Sequence, residues 1–303
     1  MLVGERSPFA LENVSAYRQW RINKLSMRPD SAEQLLVEVG DGANLTPAER
    51  AAILERVSAC NIALYRSIEP LDKSGVIRLA EQLGLYSLDK NHCADGDKIT
   101  AIRVVNDGSH RFYIPYTDRR LNWHTDGYYN PPQRRIRAMT LHCVQPAAQG
   151  GENELLDPEM VYMLMRDEDP RLVAALMARD AMTIPANDVE GGTLREAQSG
   201  PVFSIDGQTG ALHMRYTARR RNIVWKNDGA TRDAVEFLRD LCSGGNAPIY
   251  RCKLNAGEGI LCNNVLHNRT GFSDDPEHPR LLYRGRYHQR IGSTSPPCLE
   301  VAG

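Results

Sequence analysis

The residues best suited to chemistry concentrate in one short polar and aromatic stretch, Asn122-Trp123-His124-Thr125-Asp126-Gly127-Tyr128-Tyr129-Asn130. His124 and Asp126 stand two apart. On an extended strand, residues i and i+2 project from the same face, so an imidazole and a carboxylate there can both reach one metal ion. Two ligands are not a site. A third is expected from a strand distant in sequence, because a barrel interior gathers such strands. His267, in Asn263-Asn264-Val265-Leu266-His267-Asn268, follows the apolar run Gly259-Ile260-Leu261-Cys262 and is the candidate.

Two histidines and one carboxylate on one face form the facial donor set of non-haem Fe(II) oxygenases, which leaves positions open for a chelating cosubstrate and dioxygen. H-x-D alone is a weak signal, and from that spacing by itself a hydrogen-bonded structural histidine is the better reading of His124. The surrounding text is more specific. Gly150-Gly151-Glu152-Asn153 follows the strand after His124, and Arg280-Leu281-Leu282-Tyr283-Arg284 follows His267.

On these motifs the chain resembles the taurine dioxygenase-like family of Fe(II)- and 2-oxoglutarate-dependent oxygenases. The matching features are W-H-T-D at 123–126, G-G-x-N at 150–153, the late His267 and R-x-x-x-R at 280–284, in an order that spans 120–290. The resemblance implies a distorted double-stranded β-helix, or jelly roll, mostly β with flanking helices. It implies that His124, Asp126 and His267 hold Fe(II) and that Arg280 meets the distal carboxylate of 2-oxoglutarate. A guanidinium fork suits that task, since it pairs with a carboxylate bidentately and keeps its charge when buried. Asn153 stands where the family often has Thr and is expected to hydrogen-bond the cosubstrate. The implied reaction consumes O2 and 2-oxoglutarate, hydroxylates an unactivated C–H bond and releases succinate and CO2. Halogenating relatives replace the carboxylate ligand with a small residue, so Asp126 favours hydroxylation.

The substrate is expected to be a small, anionic molecule such as a sulfonate or carboxylate. Arg284 resembles the family position that meets a substrate anion, Arg120 lies four residues before His124, and Tyr128 lies within the motif. An internal carboxylate such as Glu152 could neutralise Arg284 instead. Tyr113, Tyr116, Tyr128 and Tyr129 also offer material for an aromatic cage around a quaternary ammonium, or for plain packing. A different class of function is a non-catalytic jelly roll that binds a metal or 2-oxoglutarate as a sensor or partner module. Such a copy is expected to have lost at least one of His124, Asp126, His267 and Arg280, and all four are present. Among the other histidines, His142 and His213 read as strand positions and His278 as an exposed turn. His288 is a weak alternative ligand, and His92 and His110 lie in polar, loop-like text.

The elements that must position these residues are a set of short strands and capped helices. Thr46-Pro47-Ala48-Glu49 is a capping box, and Asp72, Asp157-Pro158 and Asp169-Pro170 open further helices. Thr231 to Leu241 is one more. Strands are expected at Ala101–Val105, Ile136–Val144, Val202–Ile205, Ala211–Arg215, Ile249–Leu254, Gly259–Cys262 and Leu281–His288, separated by turn clusters such as Asn106-Asp107-Gly108. They do not alternate with helices as a doubly wound sheet requires. A single oxygenase domain over 1–303 is expected, with 1–95 a mainly helical lead-in and 96–295 a jelly-roll core carrying a helical insertion.

The 303 residues are 42% apolar and 25% charged with a net charge of −1, so the chain is no polycation built to wrap nucleic acid. Arg134-Arg135-x-Arg137 and Arg219-Arg220-Arg221 then read as solvated faces, turns or subunit contacts. Met1–Arg6 has no apolar signal core and no apolar run could span a membrane. The seven cysteines contain no C-x-x-C pair. A cytoplasmic enzyme acting on a small molecule is expected, a homo-oligomer with neither nucleic acid nor membrane as partner.

Overall fold

Successive buried residues of three central strands enter two different apolar clusters, and this sets the layering. Met139, Leu141 and Cys143 of the Ala138–Gln145 strand join one buried cluster with Ile62, Leu64, Ile260 and Cys262, while Ala138, Ala63, Tyr65 and Leu261 enter another. A sheet with apolar residues on both faces must be covered on both. In this computed structural model, which describes residues 7–89, 98–105, 113–189, 192–219, 221–244 and 246–292, that sheet has six strands. Their order is Leu36–Val39, Ile62–Ser67, Glu258–Cys262, Ala138–Gln145, Leu281–Tyr287 and Thr100–Ile102. Only the first pair is parallel.

A second, four-stranded antiparallel sheet runs Tyr250–Cys252, Asn153–Leu156, Leu266–Arg269, Leu121–His124. Leu155 and Tyr250 from it pack into the same cluster as Met139 and Leu141, so the two sheets face each other across a shared core. This is the distorted jelly roll. The outer face of the larger sheet is closed by the Pro47–Cys60 and Lys73–Gln82 helices, through Ile53, Val57, Val76 and Leu79. Thr46 and Glu49 form the reciprocal capping box, with Thr46 N–H 2.7 Å from the Glu49 carboxylate. Asp72 caps the second helix.

A third cluster lies under the helices Pro158–Glu168, Pro170–Leu176 and Gly229–Cys242, capped by Asp157, Asp169 and Asp228. The Val14–Met27 helix docks on it. Its Lys24, 2% exposed, lies 2.6 Å from both Asp157 and Glu159. A buried lysine is tolerable only when so paired.

The stretch 1–95, where a mainly helical lead-in is expected, is not helical alone in its described residues. It contributes three helices, but also the Leu36–Val39 and Ile62–Ser67 strands of the larger sheet. Five of the six residues of Ile62–Ser67 are buried, so the strand lacks the alternation that reveals a half-exposed one. Thr100–Ile102 is shorter than the strand expected at Ala101–Val105. Asn106-Asp107-Gly108, His92 and His110 lie outside the described residues.

Candidate metal and cosubstrate site

His124 ends the Leu121–His124 strand and His267 lies in the neighbouring Leu266–Arg269 strand. They are direct partners in the antiparallel register, with ring centroids 4.2 Å apart. Opposed residues of such a pair project from one face, which is why two histidines far apart in sequence meet. Asp126 arrives differently from the sequence expectation. The strand stops at His124, and Asp126 sits in the turn that follows. Asn264 holds that turn: its Oδ1 accepts from the Asp126 N–H at 2.8 Å, and its Nδ2 donates to the carbonyls of Asp126 and Ile136 at 2.9 and 2.7 Å. Gly127 takes φ +68°, and a Cβ there would fall 2.5 Å from Ile136 Cγ1, so this position requires glycine.

One potential ligand atom from each of His124, Asp126 and His267 lies within 4.8 Å of the others, and all three residues are buried. His124 Nδ1 lies 2.8 Å from the Asn122 carbonyl and His267 Nδ1 lies 2.9 Å from that of Val265. A carbonyl can only accept, so each Nδ1 carries the proton and each Nε2 keeps its lone pair for a ligand. Burial pushes the His124 imidazole down to about 3, with His267 adding to the effect. Burial also lowers His267. Burial works to raise Asp126, but the Arg284 and Arg286 guanidinia hold it well below the usual carboxylate range. The cluster is therefore two neutral imidazoles and one carboxylate at neutral pH, the protonation state that metal binding requires. Asp126 Oδ2 is buried with no hydrogen-bond partner. Buried acceptors without a donor are costly, and a cation resolves them. The donor set and the orphaned oxygen both fit Fe(II).

Arg280 immediately precedes the Leu281–Tyr287 strand and is 4% exposed. It lines a cavity with Gly150, Gly151, Asn153, Cys143 and Leu282. Its guanidinium lies over the Phe272 ring at 4.9 Å, and its Nη1 is buried without a partner. Burial pushes it down to about 10, so it stays charged at neutral pH. Among the described residues no acid lies within ion-pair distance of it. Gly150 has φ +70°, and a Cβ there would meet the Gly271 carbonyl oxygen at 2.2 Å. The glycine pair thus lets the 271–272 segment close against the cavity. Asn153 is buried at the start of the Asn153–Leu156 strand. A buried cation with an unused donor beside a small cavity fits the carboxylate of 2-oxoglutarate.

The residues read as substrate contacts are placed less uniformly. Arg284 Nη1 lies 3.5 Å from Asp126 Oδ1 and both are buried, so its counter-charge is Asp126. Glu152 is exposed. Arg120 is exposed and makes no side-chain hydrogen bond or ion pair with a described residue. Tyr128 is buried edge-on to His124, with centroids 6.4 Å apart. Arg219 lies 5.6 Å from the centre of the Tyr128 ring and Arg195 lies 5.9 Å from that of Tyr129. Rings already facing guanidinium groups make a poor cage for a quaternary ammonium. Tyr116 is buried and Tyr113 is 40% exposed. His142 is a core histidine, its Nδ1 2.9 Å from Tyr65 Oη.

Asn264 and Arg286 are not marked out by the sequence, and Arg135 is marked only as part of an arginine cluster. Arg286 shares a strand face with Arg284 at i and i+2, and its Nη1 donates to Tyr129 Oη at 3.0 Å. That spacing was legible. Asn264 carried no signal separating it from an ordinary turn asparagine.

The chain matches the model of the taurine catabolism dioxygenase TauD, TfdA family over residues 27–286. It is 34% identical over 200 residues to a uridine-5'-phosphate dioxygenase of a Streptomyces species, covering 63% of this chain and 69% of that protein. Among solved structures it is similar to a taurine dioxygenase from Burkholderia xenovorans, with a TM-score of 0.57 and 18% identity over 88% of this chain and 89% of that one. It is also similar to an asparagine oxygenase in complex with Fe(II), 2S,3S-3-hydroxyasparagine and succinate, with a TM-score of 0.58 and 13% identity over 81% and 78% of the two chains. At these identities the structural likenesses show the fold.

Proposed function

The chain belongs to the taurine catabolism dioxygenase TauD, TfdA family, and on that premise we propose that His124, Asp126 and His267 hold its Fe(II), that Arg280 with Asn153 binds 2-oxoglutarate, and that the hydroxylated substrate is a small anion. It is an Fe(II)- and 2-oxoglutarate-dependent dioxygenase, an oxidoreductase acting on an unactivated C–H bond of a small molecule. The observation that carries the site assignment is the buried convergence of two fixed Nε2 lone pairs on a carboxylate with an unpartnered oxygen.

Bound there, the metal and its cosubstrate supply the oxidising chemistry that releases succinate and CO2. The protein's own residues do the positioning. The backbone carbonyls of Asn122 and Val265 hold the ligand imidazoles in one tautomer. Arg280 anchors one end of the cosubstrate and thereby orients the other. Burial of the three ligands keeps bulk water from the reacting centre. Asp126 retains a carboxylate ligand, which supports hydroxylation. The Streptomyces relative is named for a substrate that bears a phosphate, which supports an anion. A homo-oligomer is supported by the exposed apolar side chains Val14, Ile22, Leu25 and Met27 on one helix. A reducing, cytoplasmic setting is supported by the free thiols of Cys60, Cys143, Cys242, Cys252 and Cys262.

The test is metal titration followed by succinate release with Fe(II), ascorbate and a panel of small acids. Asp126→Ala and His267→Ala are expected to abolish both metal binding and succinate release. Binding of Mn(II) unchanged in those variants would overturn the assignment.

A further inference from the structure

The three arginines of Arg134-Arg135-x-Arg137 have separate fates. Arg134 Nη2 lies 2.7 Å from Asp89 and Arg137 Nη2 lies 3.2 Å from Asp206. Arg135, between them and half-buried, makes no side-chain hydrogen bond or ion pair with any described residue. It lines a cavity together with Asp126, Tyr128, Ser204, His213 and Arg215. The cavity therefore abuts the turn that carries the proposed ligand Asp126.

Arg215 likewise makes no ion pair with a described residue. All its hydrogen bonds go to backbone carbonyls, those of Pro201, Tyr128, Gln198, Met182 and Gly200. These spend its donors on holding the wall, while its charge remains. Burial pushes it down to about 10, with Arg135 adding to the effect, and burial also lowers Arg135. His213 is driven down to about 3 by burial and by Arg135, Arg137, Arg290 and Arg215, so it is a neutral donor or acceptor there. Among the described residues the only acid lining the cavity is Asp126, which already faces Arg284 at 3.5 Å. Two guanidinium groups thus share a partly desolvated cavity, neither with an acid of the described residues within ion-pair distance, and the one carboxylate that acts on Arg135, Asp206, is already bound to Arg137. Such charges are stable only when paired. A monoanion balances one of them and a dianion balances both. Arg135 offers an unused planar fork, which suits a tetrahedral oxyanion, and the Ser204 hydroxyl adds a donor with no hydrogen bond to a described residue.

We propose that this cavity is the subsite for a phosphate monoester carried by the substrate, with Arg135 its direct ligand and Arg215 a source of field and a tie for the wall. The inference rests on the assignment of Fe(II) to His124, Asp126 and His267, because the subsite orients a C–H bond toward that cluster. It moves the anion contact from Arg284, whose charge Asp126 offsets, to Arg135.

The experiment is calorimetric titration of ribose 5-phosphate, inorganic phosphate, ribose and acetate at fixed ionic strength. The protein carries Mn(II) and saturating 2-oxoglutarate, so that Arg280 is occupied. Ribose 5-phosphate is expected to bind at least tenfold tighter than ribose or acetate, and tighter than inorganic phosphate. Arg135→Gln is expected to weaken ribose 5-phosphate at least tenfold and Arg135→Lys to weaken it less, with 2-oxoglutarate affinity within twofold of the parent in both. The Arg135 side chain makes no bond to a described residue, so both variants are expected to keep the parent melting temperature. Equal binding of ribose 5-phosphate and ribose, or unchanged binding in Arg135→Gln, would overturn the subsite. Inorganic phosphate binding as tightly as the sugar phosphate would reduce the cavity to an anion site and overturn its role in substrate recognition. Failure of the parent to take up Mn(II) and 2-oxoglutarate would instead remove the metal assignment, and phosphate titration of the metal-free protein would still read the cavity.

Discussion

Asn264 touches none of the proposed ligands through a ligand atom, yet it holds the turn that delivers one of them. Replacing it with Ala removes three hydrogen bonds of 2.7–2.9 Å to backbone groups of Asp126 and Ile136, at a residue 3% exposed. At about 1 kcal/mol net per bond this costs roughly 3 kcal/mol. Alanine must also adopt the left-handed φ of 49° found here, which adds about 1 kcal/mol. Asp126 then loses its fixed position relative to His124 and His267. Loss of such an outer support is expected to weaken metal binding about 10- to 100-fold. Asn264→Asp keeps the acceptor for the Asp126 N–H but sets a carboxylate against two carbonyl oxygens, so it is expected to be no better than alanine. The assay pairs thermal melting with Mn(II) titration of the folded protein. Leu79→Ala, a cavity on the far face of the larger sheet with an expected cost of about 2–5 kcal/mol, is the control. It should lose stability and keep metal affinity. If Asn264→Ala melted early but bound Mn(II) as tightly as the parent, Asn264 would be a stabilising residue only, and its positioning role would be refuted.

Arg280→Lys keeps the charge and loses the fork. One charge-assisted hydrogen bond of about 1.5–3 kcal/mol corresponds to at least a tenfold rise in the 2-oxoglutarate Kd by calorimetry, and Arg280→Ala should exceed it. Lys24→Met leaves Asp157 and Glu159 without their buried cation, and chemical unfolding should show a loss of about 3–5 kcal/mol. His142 is held down to about 4 by burial, against about 6.5 unfolded. Its contribution is therefore complete above about pH 6.5 and is lost as pH falls toward 4, because only the unfolded chain takes up the proton in that window. At pH 5 the loss is roughly 2 kcal/mol. His142→Gln should flatten the fall in stability between pH 7 and 5 by that amount; an unchanged pH profile would show that this imidazole is not held neutral.

The residues proposed for the site could be named from the sequence, because their types and order are distinctive. His124, Asp126 and His267 follow from motif spacing, Arg280 and Asn153 from the family resemblance. The capping box at Thr46 and the Asp-Pro helix starts were also readable, since caps depend on neighbouring residues alone. For His124 and Asp126 a two-residue spacing on a strand was expected, and a turn tied down by Asn264 is what the structure contains. Ile62–Ser67 escaped notice because a strand buried on both sides has no period to detect. The counter-charges belong wholly to the tertiary structure. Asp126 meets Arg284, Asp89 meets Arg134, and Asp206 meets Arg137, each across at least forty residues of sequence. Arg135 stands in the same short run as its paired neighbours and has the same side chain. Residue type determines what a group can do, and local spacing determines which helices and turns it joins. Which charges are cancelled depends on groups that only folding brings within a few ångströms, so Arg135 stood out only once the chain was folded.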